Sequence, residues 1–185
     1  MNHLATSKED ILAASRDLIK ENGWAAVSIR AVASRCSVSA GTIYNYYESK
    51  ADLLSDTIES IWHEIFFHPE DEQIFHDVES CISWIYERLE YGNRQFPGFF
   101  SLHSFGFMRD EKTSGKKRMM ETWGHILNGL CEVLENDPKV RADVFDQEFT
   151  EKKFADILFS LILVSMIRQD YDPSSVLMLV KKTLY

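Results

Sequence analysis

The stretch SVSAGTIYNYYESKADLL, residues 37–54, crowds three tyrosines into four positions just after a Gly-Thr step, with a lysine close behind. It contains two helix starts. Ser39 stands as the N-cap of a short helix from Ala40 to about Tyr47. Ser49, with Asp52 three residues on, makes a capping box for a longer helix reaching about Phe67. On a helical wheel Ala40, Ile43 and Tyr47 share the side that packs inward. Gly41, Thr42 and Asn45 point the other way, with Tyr44 and Tyr46 on the two shoulders.

Upstream, Ser28 caps another short helix, in which Ile29, Val32, Ala33 and Cys36 recur on one face. A turn through Ser37 and Val38 joins it to the helix at Ala40. Earlier still, Ser7 and Asp10 form a capping box, Ile11, Ala14, Leu18 and Ile19 make one apolar face, and Gly23 ends the helix. Two short helices joined by a tight turn and supported by a preceding helix describe a helix-turn-helix unit.

Such a unit suits the major groove of DNA. The outward face is small at its N-terminal end, so it can approach base edges without bulk. Ser28 and Ser39 offer hydroxyls and unpaired backbone N–H groups at positive helix ends, which suit phosphates. The hydroxyls of Tyr44 and Tyr46, and Lys50 in the first turn of the fourth helix, complete a clamp. A cation there opposes the helix dipole, and a phosphate partner accounts for it. The competing reading makes the tyrosines core aromatics of a small bundle. The wheel gives Tyr47 to the core and Tyr44 and Tyr46 to DNA.

ILAASRDLIKENGW (11–24) and VSIRAVASRCSVSAGTIYNYYESKADLL (27–54) together resemble the N-terminal domain of the tetracycline-repressor (TetR) family of bacterial regulators. The resemblance rests on Gly23, Ala33, Val38-Ser39, Gly41-Thr42-Ile43-Tyr44, Tyr46-Tyr47 and Ser49-Lys50-Ala51-Asp52-Leu53. It implies an all-α dimer with a three-helix DNA-binding head and a larger regulatory body. By position it gives phosphates to Ser28, Ser39, Tyr44, Tyr46 and Lys50. It turns Arg30, Ala40, Gly41, Thr42 and Asn45 toward the bases, Arg30 toward a guanine edge. One departure stands out: many relatives carry several basic residues ahead of the first helix, and this chain has only His3 and Lys8 there, so an arm along the minor groove is not expected.

The chain has 185 residues, 45% hydrophobic and 12% aromatic, enough to bury a core and too apolar for wholesale disorder. Its net charge is −9, unevenly spread. Residues 1–50 hold six Lys/Arg against five Asp/Glu, and the acidity belongs to residues 51–185. Cys36, Cys81 and Cys131 are too few and too scattered for a disulfide framework or a zinc site, which fits a reducing compartment. The first residues lack the apolar run of a signal peptide, and ILFSLILVSMI (157–167) is too short to span a bilayer. A soluble, cytoplasmic protein without a membrane partner is expected.

HPEDEQ (68–73) is a polar break between head and body. The functional division is drawn at 1–50 for DNA binding and 51–185 for ligand binding and dimerisation. Further helices are expected near 74–92, 98–109, 115–136 and 149–170. Asp172-Pro173 then supplies the N-cap and first residue of a last helix to about Leu184. The Phe-rich FPGFFSLHSFGFM (96–108) suggests a pocket for a small hydrophobic or aromatic effector, lined by Trp84, Phe99, Phe100, His103, Phe107, Met120 and Trp123. An ordinary aromatic core is the alternative for each residue, and the pocket follows chiefly from the resemblance. The helix around 154–164 is apolar on more than one face. With the family's pairing of its last two helices, this places a homodimer interface at Phe154, Leu158, Leu161, Ile162, Val176, Leu177 and Val180.

The histidines are spread out, and His63 and His68 do not share a helix face, so no metal is expected. No phosphate loop, nucleophile elbow or zinc-protease motif is present, so neither a cofactor nor an enzyme is expected. The resulting expectation is a transcriptional regulator, a repressor, that binds palindromic operator DNA as a homodimer and is released by a hydrophobic ligand. Its rivals are a protein-interaction module on the same fold without an inducer, and a DNA binder that activates or organises.

Overall fold

The computed structural model describes residues 6–66, 75–100 and 114–185, and of 114–122 the backbone alone. These residues form α1 (Lys8–Asn22), a 3-10 turn (Trp24–Ala26), α2 (Ile29–Arg35), α3 (Ala40–Tyr44), α4 (Lys50–Phe66), α5 (Val78–Gln95), α6 (Ser114–Asn136), α7 (Glu151–Arg168) and α8 (Ser174–Leu184). Among the described residues there is no strand, and no helix is long and apolar enough to cross a membrane. The all-α class expected from the sequence is the one observed. The chain divides into two compact units, Met1–His68 with Arg94–Pro97, and Pro69–Asn93 with Gly98–Tyr185.

In the first unit, local chemistry sets each helix start. Ser7 and Asp10 close a full capping box on α1, Ser28 caps α2, and Ser39 caps α3. Ser49 and Asp52 bond at the start of α4 as the sequence suggested. Gly23, at φ 76°, ends α1 with its N–H on the Ile19 carbonyl. The apolar faces then meet. Ile11, Ile19, Val27, Val32, Ile43, Leu53, Ile61 and Ile65 are each 0–1% exposed. Ser15 and Thr57 lie within this core, and each spends its hydroxyl proton on the carbonyl four residues back, at 2.9 and 2.7 Å. Phe96 also joins this unit, fully buried, with the Lys20 ammonium 4.8 Å from its ring centre.

The connection from α2 to α3 is a Schellman turn. The Val38 N–H reaches the Ala33 carbonyl at 2.9 Å, the Ser37 N–H reaches that of Ser34 at 3.1 Å, and Ser37 is left-handed at φ 56°. α3 is shorter than the expected run to Tyr47. Its last turn tightens, with Asn45 and Tyr46 bonding three residues back, and the chain bends so that Tyr47 packs inward at 4% exposure.

The second unit is built on α5–α8. Val78, Ile82, Ile85, Tyr86 and Leu89 of α5, Leu130 and Leu134 of α6, Phe154, Leu158 and Ile162 of α7, and Val180 and Leu184 of α8 are buried. The expected helices at 74–92, 115–136 and 149–170 are found within a few residues of those bounds. The one expected at 98–109 falls largely outside the described residues, as does the break at 68–73. α8 begins at Ser174, one residue later than expected, and Asp172 still caps this end, its carboxylate accepting the Ser174 N–H at 2.9 Å and hydroxyl at 2.8 Å.

Asp137, only 5% exposed, ties three segments together. It accepts from the Val78 N–H at 2.9 Å, the Lys139 N–H at 2.8 Å, and the Tyr185 hydroxyl. Beside it, Asp77 accepts the Ser80 N–H at 2.7 Å and pairs with the Lys139 ammonium at 2.8 Å. The bond from Lys139, helped by those from Ser80, holds the Asp77 carboxyl down at about 2.

Two outcomes are expected. Ser37→Gly should stabilise the first unit by about 0.5–1 kcal/mol, the left-handed penalty less the added unfolded-state freedom of glycine, read by denaturant unfolding. A carboxyl lowered by folding stabilises above its unfolded value and loses that effect as pH falls through its folded value. Stability contributed by Asp77 should therefore fade between about pH 4 and pH 2, and Asp77→Asn, destabilising by about 1 kcal/mol at neutral pH after solvent screening, should flatten that part of the curve.

Candidate nucleic-acid interface

The helix-turn-helix read from the sequence is present, with α2 and α3 joined by the turn at Ser37. On α2 and its cap, Ser28 is half-buried and Arg30 exposed. On and around α3, Ser39, Gly41, Tyr44 and Asn45 are exposed, and Ala40, Thr42 and Tyr46 are half-buried. Lys50, the first residue of α4, is exposed.

Hydrogen bonding sorts these groups further. Ser28 Oγ accepts the Ala31 N–H at 3.1 Å, a use that leaves its own proton available to an anion. Ser39 Oγ accepts the Thr42 N–H at 3.1 Å and shares a second bond with Thr42 Oγ1 at 3.0 Å. Tyr44 is 56% exposed, a large aromatic left in solvent. Tyr46 differs from Tyr44, because its hydroxyl donates to the Thr6 carbonyl at 2.6 Å. Tyr47 lies in the core, its hydroxyl buried without a hydrogen-bond partner among the described residues and its pKa raised by that burial.

The basic residues of the head divide in the same way. Lys8 pairs with Asp56 at 2.6 Å. Arg16 pairs with Glu9 and with Glu64, both at 3.1 Å, and Lys20 reaches Glu64 at 2.6 Å. Arg35 makes a two-pronged contact with Glu21, one prong at 2.6 Å, and lies 3.8 Å from Asp17. Of the six Lys/Arg in residues 1–50, that leaves Arg30 and Lys50. Neither makes an ion pair among the described residues.

Comparison with known proteins fits this geometry. Residues 11–57 match the family model described as bacterial regulatory proteins, tetR family. Over that span, about a quarter of the chain, the head is similar to the tetR family. Over 48 residues it is 38% identical to the HTH-type transcriptional regulator UidR of Escherichia coli K12. That match covers 26% of this chain and 24% of UidR, so the chain spans about a quarter of the curated relative it matches. Beyond that segment, similarity is one of fold. The transcriptional regulator FadR from Bacillus subtilis, solved in complex with stearoyl-CoA, superposes with a TM-score of 0.67 at 18% identity, covering 97% of this chain and all of that one. BioQ, solved with its double-stranded DNA operator, superposes at 0.60 with 14% identity, covering 96% of each chain.

In the body, the residues read as pocket lining lie in several places. Phe99 and Phe100 are buried, with their rings 5.3 Å apart. Trp84 is half-buried against Phe75 at 5.3 Å, and Trp123 lies edge-on to Phe159 at 5.8 Å. His103, Phe107 and the Met120 side chain fall outside the described residues. Sequence reading missed Tyr171. Its ring lies 6.3 Å from that of Phe100, its hydroxyl is buried without a hydrogen-bond partner among the described residues, and burial pushes its pKa up to about 12. The Trp123 indole N–H is likewise buried without a hydrogen-bond partner among those residues. Nothing local in QDYDP (169–173) marks Tyr171 as an inside residue.

Of the residues read as a dimer face, Phe154, Leu158, Ile162, Val176 and Val180 are buried within the body itself, and Leu161 and Leu177 are half-buried. The apolar groups left in solvent are their neighbours, Ile157 at 44%, Val164 at 37% and Ile167 at 44% on α7, and Met178 at 58% and Leu179 at 37% on α8.

Gly41, exposed on α3, has room for a side chain. A methyl group there would meet only Ser39 Oγ, at an ordinary 3.6 Å. Gly41→Ala should leave the head folded and raise its stability by about 0.5–1 kcal/mol. Calorimetry checks the stability.

Proposed function

We propose that the chain is a transcriptional repressor that binds palindromic operator DNA as a homodimer and releases it on binding a small hydrophobic or aromatic ligand. The observation that carries the DNA-binding part is the sorting of charge in the tetR head. Arg16, Lys20, Lys8 and Arg35 are engaged by acids, while Arg30 and Lys50 are exposed and have no ion-pair partner among the described residues. They flank the segment whose small and hydroxylated side chains suit a groove. Arg30 would take a guanine edge, with Ala40, Gly41, Thr42 and Asn45 beside it. Lys50, Tyr44, Ser28 and Ser39 would hold phosphates, the caps adding helix-end N–H groups.

Homodimerisation is proposed through Ile157, Val164 and Ile167 of α7 with Met178 and Leu179 of α8, the apolar groups the body leaves uncovered. A two-fold pair would present two heads to the half-sites of a palindrome. The effector site is proposed for the body, where the buried Tyr171 hydroxyl, beside the Phe100 ring, would supply a polar handle. The stearoyl-CoA complex of FadR supports an apolar ligand, and the BioQ–operator complex supports DNA as the partner of the head. Release then follows to the extent that the ligand prefers the conformation that does not bind DNA. Residues 1–50 are assigned the DNA contact and 51–185 ligand and dimer contact.

Selection of bound duplexes from a random pool at a stated, near-physiological salt concentration should enrich a palindrome. No enrichment by a folded dimer would point to the protein-interaction alternative. On the selected site, Arg30→Ala should cost about 1–3 kcal/mol at one base pair per half-site and relax its preference. Lys50→Ala should weaken all sequences alike and lower the salt slope by about one counterion per head.

A further inference from the structure

The family resemblance gives Tyr46 a phosphate, but its hydroxyl is already engaged. It donates to the backbone carbonyl of Thr6 at 2.6 Å, across forty residues of chain. A phenol has one proton to give, and both a carbonyl and a phosphate oxygen only accept. Tyr46 therefore holds either Thr6 or a phosphate at any instant.

The surroundings favour Thr6. Thr6 is 6% exposed, so the segment entering α1 is packed down at that point. Two residues on, Lys8 bonds Asp56 of α4 at 2.6 Å and lies 5.7 Å from the ring centre of Tyr47. The Cys36 thiol, at the end of α2, approaches the Asp10 carbonyl at 3.8 Å. The start of α1 is thus fastened to the ends of α2 and α3 and to α4. Tyr44 is more exposed and makes no hydrogen bond among the described residues, so it is free to meet the DNA backbone.

We propose that Tyr46 is a positioning residue, not a phosphate ligand: its hydroxyl clasps the segment entering α1 to the end of the recognition helix, and it serves DNA binding by fixing that geometry. The role in DNA binding rests on the function proposed above, whereas the clasp is a property of the free protein. Releasing a phosphate-bound tyrosine to hold Thr6 would exchange one hydrogen bond for another, so the clasp persists on DNA only if the backbone runs past Tyr46 without needing its proton.

The test compares wild type, Tyr46→Phe and Tyr44→Phe by two readouts. In the free protein, hydrogen exchange at the Asp10 and Ile11 amides, which bond to Ser7, should accelerate about fivefold in Tyr46→Phe, as loss of one net hydrogen bond implies, and stay unchanged in Tyr44→Phe. On the selected duplex, single phosphates are replaced in turn by neutral methylphosphonates. Tyr46→Phe should keep the wild-type pattern of sensitive phosphates, while Tyr44→Phe loses sensitivity at one phosphate per half-site. Unchanged exchange in Tyr46→Phe overturns the clasp, and loss of one sensitive phosphate in Tyr46→Phe makes it a phosphate ligand after all. If the wild type selects no duplex, the regulator reading fails, and the exchange readout still decides the clasp.

Discussion

A helix of five residues cannot stand in water on its own hydrogen bonds, because the cost of nucleation is not recovered over so short a run. α3 holds because Ile43 is wholly buried and Tyr47, just beyond its last turn, is driven into the same core. Ser39 at one end and the left-handed Ser37 before it fix where the helix begins and how it leaves α2. The outward residues Gly41, Tyr44 and Asn45 are consequently held by contacts on the opposite side of the same short helix. Packing in the head and the exposure of this face are one constraint.

An acidic chain can still offer a surface for an anion, because charge acts locally. Fields between exposed groups fade over about 10 Å at 0.1 M salt. Within the head, Glu64 takes up Arg16 and Lys20, Asp56 takes up Lys8, and Glu21 takes up Arg35. These exposed or partly exposed pairs are each worth little in stability. Their larger effect is on the electrostatic outline, since they cancel basic groups elsewhere in the head and leave Arg30 and Lys50 without an ion-pair partner among the described residues. The hydroxyls divide by the same rule, since Tyr46 donates within the protein while Tyr44 keeps its proton in solvent.

The body is organised around a different problem, an α7 with more apolar surface than one contact can cover. Phe154, Leu158 and Ile162 fill the interior, and Ile157, Val164 and Ile167 remain outside. Elsewhere in the unit polar groups do the joining, with Asp137 gathering the start of α5, its own loop and Tyr185. A buried carboxylate with three donors is well satisfied, which is why it can sit where an unpaired one could not.

Much of the head was legible in the sequence because its determinants are local. Capping boxes, the helix-ending Gly23 and the three-and-four spacing of Ile29, Val32 and Ala33 each act within a turn or two of chain, and they reappear where they were expected. The same is true of the inward turn of Tyr47 and the exposure of Arg30, Gly41, Asn45 and Lys50. What the sequence left open depends on distant partners. Helical periodicity marks Leu158 and Ile157 alike as apolar, and only packing against the rest of the body decides that the first is inside and the second outside. Tyr44 and Tyr46 are two residues apart and chemically identical; Thr6, forty residues away, makes one a clasp and leaves the other in solvent. Composition counts six basic residues in the head, but which of them keep their charge for another molecule is fixed by where Asp56, Glu64 and Glu21 come to lie once the helices have packed.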